Sequence, residues 1–154
     1  MGKEIERKFL TTDDSFKTLA NGTRYRQGYL NSAMERIVRV RTVGSKGFLT
    51  VKGIASGATR VEYEYVIPLE DANAMLDALC EKPLIEKNRY KIQHAGLVWE
   101  VDEFFGENQG LVLAEVELAS EDQPFERPPW IGAEVTGDPK YFNSNLIRHP
   151  YNHW

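Results

Sequence analysis

The chain opens on "KEIERKFL", Lys3 to Leu10, and the fold turns on how that stretch is read. As a strand it sets Glu4, Glu6 and Lys8 on one face and Ile5, Arg7 and Phe9 on the other, because successive side chains alternate across a sheet. One such strand is ordinary, since charged residues are mostly exposed. Its meaning depends on whether the rest of the chain repeats the pattern.

The pattern does repeat. Turn signals at 21–22, 44–47, 53–58, 95–96, 106–110 and 123–130 cut the chain into short runs of period-2 alternation. Eight strands are expected, near 3–9, 24–30, 36–42, 48–52, 59–67, 85–93, 97–103 and 112–118. Arg39 and Arg41 oppose Val38 and Val40, Lys52 opposes Val51, and Glu62 and Glu64 oppose Val61, Tyr63 and Tyr65. Lys87, Arg89 and Lys91 oppose Asn88, Tyr90 and Ile92. Glu100 and Asp102 oppose Trp99 and Val101, and Glu115 and Glu117 oppose Val116 and Leu118. The run 24–30 is ambiguous, with Arg24 and Arg26 alternating against Tyr25, Gln27 and Tyr29.

Between the fifth and sixth runs, "LEDANAMLDALC" places Ala72, Met75, Leu76 and Leu79 at helical spacing, with Glu70 and Asp71 at the positive end of the helix. Weaker helices are expected at 13–20, capped by Asp13 or Asp14, and at 139–148, with Asp138 as cap and Pro139 in the first turn.

The charged face is built of like-sign doublets, which destabilise a plain sheet when they sit side by side. Two architectures remain open on the residues alone. One is an open antiparallel sheet whose outer face is wet. The other is a barrel with a charged lumen and helices packed outside. In the barrel, carboxylate clusters suit hard divalent cations such as Mg²⁺ or Mn²⁺, and Arg and Lys clusters suit phosphates.

Composition bounds the rest. The 154 residues, 42% hydrophobic and 27% charged, match one compact domain over 1–154. A net charge of -4 argues against a nucleic-acid partner. The single Cys80 excludes an internal disulfide and a cysteine-cluster metal site, and reads as a buried thiol. No apolar run approaches the roughly 20 residues of a membrane span, and the charged start is unlike a secretory leader. A soluble, cytoplasmic chain is expected, with no membrane partner. His149 and His153 read as a tail, Lys91 as a solvated strand end, and Trp99 and Trp130 as packing residues.

Glu4-x-Glu6-x-Lys8 resembles the ExExK signature of the CYTH, or triphosphate tunnel metalloenzyme, family. The resemblance continues in order through "QGYL" (27–30), "VRVR" (38–41), "TVKG" (50–53), "EYEY" (62–65) and "KNRY" (87–90). It extends through "WEVDEF" (99–104), "LAEVEL" (113–118) and "EVTGDPKYFNSNL" (134–146).

The resemblance implies a mainly β (α+β) fold, an eight-stranded antiparallel closed barrel forming a tunnel. It also implies metal-dependent hydrolysis of inorganic triphosphate, in the manner of a bacterial-type inorganic triphosphatase, with slower action on nucleoside triphosphates. By position, Lys8, Arg39, Arg41, Lys52, Lys87 and Arg89 are expected to grip phosphate. Glu4, Glu6, Asp102, Glu115 and Glu117 are expected to hold the metal. Glu62 and Glu64 are expected to position water or act as outer metal ligands. Tyr141, Asn143 and Ser144 are expected to close the barrel from outside, with Ser144 within reach of the site. Mg²⁺ or Mn²⁺ is the expected cofactor, and the chain is expected as a monomer or homodimer. The alternatives are a class IV-type adenylate cyclase, a thiamine-triphosphatase, and a polyphosphate-binding module without turnover.

Overall fold

In the computed structural model, which describes residues 2–154, the alternating runs form one antiparallel sheet of ten strands among the described residues. The first five are β1 (Glu4–Thr11), β2 (Gly22–Asn31), β3 (Arg36–Val43), β4 (Lys46–Gly53) and β5 (Thr59–Arg60). The second five are β6 (Glu62–Ile67), β7 (Ile85–His94), β8 (Leu97–Phe104), β9 (Val112–Glu117) and β10 (Ile131–Glu134). Neighbours run β10-β1-β9-β8-β7-β2-β3-β4-β6, with β5 on β1.

This ladder does not close on itself, which corrects the expectation of a continuous eight-stranded barrel. The run expected at 59–67 serves two edges and breaks at Val61. Its first part pairs with β1 (Glu4↔Arg60, Ile5↔Thr59), and its second pairs with β4 from Gly47↔Ile67 to Lys52↔Glu62. The two ends of the sheet therefore meet through a two-residue seam, helped by the Glu62 N–H donating to the Gly2 carbonyl at 3.2 Å. The tenth strand, β10, pairs with the far half of β1 (Phe9↔Glu134, Thr11↔Ile131). At four residues it is too short to show an alternation in sequence.

Most apolar faces are buried outside the sheet, whereas Val61, Tyr63 and Tyr65, opposite Glu62 and Glu64, are exposed. Ile5, Phe9, Tyr90, Ile92, Trp99, Val101, Ala114 and Val116 form one cluster, covered by Phe16, Trp130 and the half-buried Phe125. Trp99 meets Phe9 at 5.5 Å and Trp130 at 6.3 Å between ring centroids. These tryptophans are packing residues. A second cluster forms where α1 (Leu69–Ala78) lays Ala72 and Leu76 against Val40 and Cys80. Gly47 permits that approach, because a Cβ there would come within 2.8 Å of the Ala72 Cβ. Burial pushes the Cys80 thiol up, as expected of an inert core cysteine.

Two expected helices shrink. At 13–20 there is a single 3-10 turn, Ser15–Thr18, with the Ser15 N–H donating to Asp13 at 2.9 Å. Within that turn only Phe16 is buried, so one turn suffices to seat its ring against Tyr90 at 5.3 Å. At 139–148 a 3-10 turn (Pro139–Tyr141), capped by Asp138 accepting from Lys140 N–H at 3.1 Å, is followed by the short α2 (Asn143–Leu146). Phe142 between them is extended, which turns the C-terminal segment inward.

A third cluster explains where that segment goes. Tyr29, Ile37, Ile85, Phe104 and Leu113 share the strand faces that carry the charged residues, and they pack with Leu146 and Ile147. Apolar side chains thus fill one end of the lumen, and the charged ones line the other.

Candidate active site

One cavity of about 250 Å³ gathers the charged face. Twelve of the thirteen residues expected at the site line it: Lys8, Arg39, Arg41, Lys52, Lys87, Arg89, Glu4, Glu6, Glu115, Glu117, Glu62 and Glu64. Strand register explains the convergence. Glu6 lies opposite Glu117 and Lys8 opposite Glu115, while Lys52 lies opposite Glu62. Each pair therefore projects to the same side of the sheet.

Asp102 is the exception. It is fully buried and does not line the cavity. Both of its oxygens are taken by Arg89, at 2.7 and 2.8 Å, and the Lys87 ammonium adds a third contact at 2.8 Å. The run that suggested a metal ligand places this carboxylate behind two cations, where it orients them. Burial pushes its carboxyl up, but Arg89 and Lys87 outweigh that and hold it below the ordinary range.

Most cations at the site lean on a carboxylate. Lys52 reaches Glu4 at 3.1 Å and Glu62 at 3.3 Å, Arg39 reaches Glu64 at 3.4 Å, and Lys8 lies 3.9 Å from Glu115. Arg41 is different. Its guanidinium donates twice to Gln27 Oε1, at 2.6 and 2.8 Å, and among the described residues it has no carboxylate partner. Burial, then Arg39 and Arg89, pushes it down to about 9, which leaves it charged at neutral pH but short of an anion. Lys87, also buried, is pushed down to about 7 against the pull of Asp102. The Arg39 Nε and the Ser144 hydroxyl, both buried, have no hydrogen-bond partner. Of these six cations Arg41 alone is left without a carboxylate of the described residues.

The carboxylates show the opposite shortage. Burial, then Glu115 and Glu4, pushes Glu6 well above the ordinary range. Burial also disfavours charge on Glu115, yet Lys8, Arg89 and the proton donated by Glu6 hold it well below. The two neighbouring carboxyls are thus driven in opposite directions, Glu6 up and Glu115 down. Glu62 is pushed up by burial and Glu4, and Glu117 by burial, Glu4 and Glu62. In Glu4 the pairing with Lys52 overcomes the burial that pushes it up. Among the described residues no three His, Cys, Asp or Glu side chains stand as a ready-made metal cluster. The donor chemistry still fits a divalent cation, because crowded carboxylates that disfavour one another's charge gain from a hard ion.

Several residues at the cavity wall or directly behind it carried no charge signal in the sequence. Gln27, Tyr29, Thr50 and Asn143 contribute uncharged polar groups: Thr50 donates to Glu64 at 2.9 Å, and Asn143 accepts from Lys87 at 2.9 Å. Phe142, Asn143 and Ser144 line the cavity, so the expectation that this segment closes the barrel from outside is corrected. Arg60 lines it too, placed opposite Glu4 by the β5 seam. In β2 the ambiguity resolves with Tyr25, Gln27 and Tyr29 buried, while Arg24 stacks on Phe105 and Arg26 reaches Asp77 on the outer side. Lys91 is exposed, as expected. His153 sits at the C-terminal tail within 3.4 Å of Glu107.

Among the described residues no helix is long and apolar enough to cross a membrane.

Known proteins resemble this chain in sequence and in fold. An inorganic triphosphatase of Acetivibrio thermocellus is 57% identical over 154 residues, covering 100% of this chain and 99% of that protein. One of Nitrosomonas europaea is 40% identical over 151 residues, covering 93% and 95%. The crystal structure of an inorganic triphosphatase superposes with a TM-score of 0.64 at 36% identity, over 94% of this chain and 93% of that one. A Hippeastrum protein with a dominant triphosphatase activity shares the fold, with a TM-score of 0.59 at 15% identity over 76% and 80% of the two chains. The CYTH domain matches residues 2–151. The chain belongs to the CYTH domain family.

Proposed function

We propose that this chain is a divalent-metal-dependent inorganic triphosphatase that hydrolyses tripolyphosphate to pyrophosphate and phosphate. The observation that carries the reading is the cavity itself. Six cations and a crowded cluster of carboxylates, Glu4, Glu6, Glu115 and Glu117, face one space of about 250 Å³. That is smaller than the roughly 300–1,000 Å³ of pockets that hold drug-sized ligands, so a compact polyanion suits it better than a whole nucleotide. The triphosphatase relatives support the same choice.

The residues then divide by task. Lys8, Arg39, Arg41, Lys52, Lys87 and Arg89 bind phosphate oxygens and spread the charge that builds in the transition state. Asp102 fixes Arg89 and Lys87 rather than meeting the substrate. Glu4, Glu6, Glu115 and Glu117 would hold Mg²⁺ or Mn²⁺. A divalent cation there offsets phosphate charge and polarises the oxygens it meets. Glu62 and Glu64 orient the attacking water. Its oxygen bonds to the terminal phosphorus as the bridging P–O bond breaks, pyrophosphate leaves, and the water's surplus proton passes to solvent. Residues 1–154 act as one domain, in a cytoplasmic monomer or homodimer.

Phosphate release from tripolyphosphate and from ATP, each with Mg²⁺, with Mn²⁺ and with chelator, tests the reading. Metal-dependent turnover favouring tripolyphosphate is expected. Pyrophosphate release from ATP without orthophosphate would overturn it in favour of a cyclase.

A further inference from the structure

Gln27 is neutral and so leaves no mark in the alternating charge pattern, yet it is fully buried directly behind Arg41, beside a cavity whose walls are mostly charged. Its polar atoms are all used. Oε1 accepts both Arg41 hydrogen bonds, at 2.6 and 2.8 Å, and Nε2 donates to Asn143 Oδ1 at 3.1 Å and to the Tyr29 hydroxyl at 3.2 Å. Asn143 Oδ1 also accepts from the Lys87 ammonium at 2.9 Å. A chain of two amides therefore runs from Arg41 through Gln27 and Asn143 to Lys87, joining β3, β2, the C-terminal α2 and β7.

The polarity of that chain is forced. A guanidinium only donates, so Gln27 must present oxygen to Arg41 and nitrogen to Asn143. Asn143 must then present oxygen to both Gln27 and Lys87. Both cations are anchored in fixed geometry at the amide end by a neutral acceptor. Lys87 also shares Asp102 with Arg89, whereas Arg41 has the amide and the face of the Tyr25 ring at 5.0 Å but no carboxylate. A carboxylate in place of Gln27 would still accept from Arg41, but it would cancel the guanidinium charge and lose the donor that meets Asn143 and Tyr29. An amide orients it and leaves the charge for a ligand.

We propose that Gln27 and Asn143 are positioning residues for substrate binding, a neutral brace that keeps Arg41 and Lys87 aimed into the cavity without neutralising Arg41. The inference rests on the triphosphatase reading for the identity of the anion. It also gives the C-terminal segment a task, because Asn143 reaches the brace only when α2 is seated in the lumen.

The test compares two substitutions of similar size at one position. Gln27→Glu keeps an acceptor for Arg41 and adds a charge, and Gln27→Leu removes the acceptor. Tripolyphosphate binding is measured by calorimetry in chelator, and hydrolysis is measured with metal. If Arg41 must keep its charge, Gln27→Glu weakens tripolyphosphate binding by roughly 10- to 100-fold, the scale of a lost charged hydrogen bond. It raises KM correspondingly and changes kcat less. Gln27→Leu weakens binding less than Gln27→Glu does. Asn143→Asp, charging the brace from its other end, weakens binding more than Asn143→Leu.

A purely structural role predicts that Asn143→Asp, which keeps both acceptor contacts, binds near wild type while Asn143→Leu binds worse, and that Gln27→Glu, which loses the donor to Asn143 and Tyr29, binds no worse than Gln27→Leu. That result, in variants whose thermal unfolding shows them folded, overturns the proposal. If the wild type binds tripolyphosphate without hydrolysing it, the triphosphatase reading falls while the binding order still decides the brace. A wild type that does not bind tripolyphosphate overturns both.

Discussion

Replacing Asp102 by asparagine separates the two tasks that a buried carboxylate could have at this site. In the structure it carries two short hydrogen bonds from Arg89, at 2.7 and 2.8 Å, and one ionic contact from Lys87 at 2.8 Å, all with no exposure to solvent. The substituted amide would still offer one oxygen, but its NH₂ would face a donor of Arg89 or Lys87. Breaking a buried pair by removing one partner costs about 3–5 kcal/mol, and the remaining oxygen returns about 1 kcal/mol. The expected loss is therefore about 2–4 kcal/mol. With a urea dependence of about 2 kcal/mol per molar, the middle of the usual range, the unfolding midpoint should fall by about 1–2 M, read from tryptophan fluorescence.

The same loss leaves Arg89 and Lys87 seeking an anion. Tripolyphosphate in chelator should restore stability to Asp102→Asn by at least as much as it adds to the wild type, through ordinary binding linkage. The metal concentration needed for half-maximal activity should stay unchanged. An Asp102→Asn variant as stable as the wild type but needing far more metal would refute this reasoning and return Asp102 to the metal ligands.

Three further outcomes follow from the same contacts. Glu6→Gln removes a carboxylate whose charge is disfavoured by burial and by Glu115 and Glu4, so at pH 7 in chelator its thermal midpoint should equal or exceed the wild type's, while metal-dependent phosphate release is lost. The raised carboxyl of Glu6 binds its proton more tightly when folded, so the stability it adds is full below about pH 4.3 and drains away as pH rises. Lys87 works in the other direction: folded it titrates at about 7, below its unfolded value of about 10.4, so the unfolded chain binds the extra proton between them. The stability of wild type relative to Lys87→Met should therefore rise with pH from about 7 to 10, measured by urea midpoints across that range. A flat difference would show that Lys87 keeps its charge in the folded protein.

What the sequence revealed depended on whether a residue's job was written in its charge. Glu4, Glu6 and Lys8 were legible because alternation places them on one face, and the same rule found Arg39, Lys52, Glu62 and Glu115. β2 was not legible, because Arg24 and Arg26 repeat the charged pattern on the outer surface, where Asp77 and Phe105 hold them. The lumen side of β2 is Tyr25, Gln27 and Tyr29, residues that alternation alone scores as apolar or neutral. The failure to close the barrel was equally hidden. Nothing in 59–67 marks Val61 as the break between a strand that pairs with β1 and one that pairs with β4. Asp102 shares parity with the true cavity residues, and parity cannot say which side chain lies in front of another.

That last distinction sorts the ion pairs by what happens when a polyanion and a cation enter. Lys52 and Glu4 both line the cavity and touch each other at 3.1 Å, so each occupies the place of the ligand that the other awaits. On the proposed reading, their contact is exchanged when metal draws Glu4 and phosphate draws Lys52. The Asp102 contacts cannot be exchanged in this way, because Asp102 is enclosed and reaches no ligand. Exchangeable pairs stabilise the empty site against its own charge, and permanent ones fix direction. Arg41 belongs to neither group, since its partner is an amide. It waits with its charge uncancelled, and so it has the most to gain when phosphate arrives.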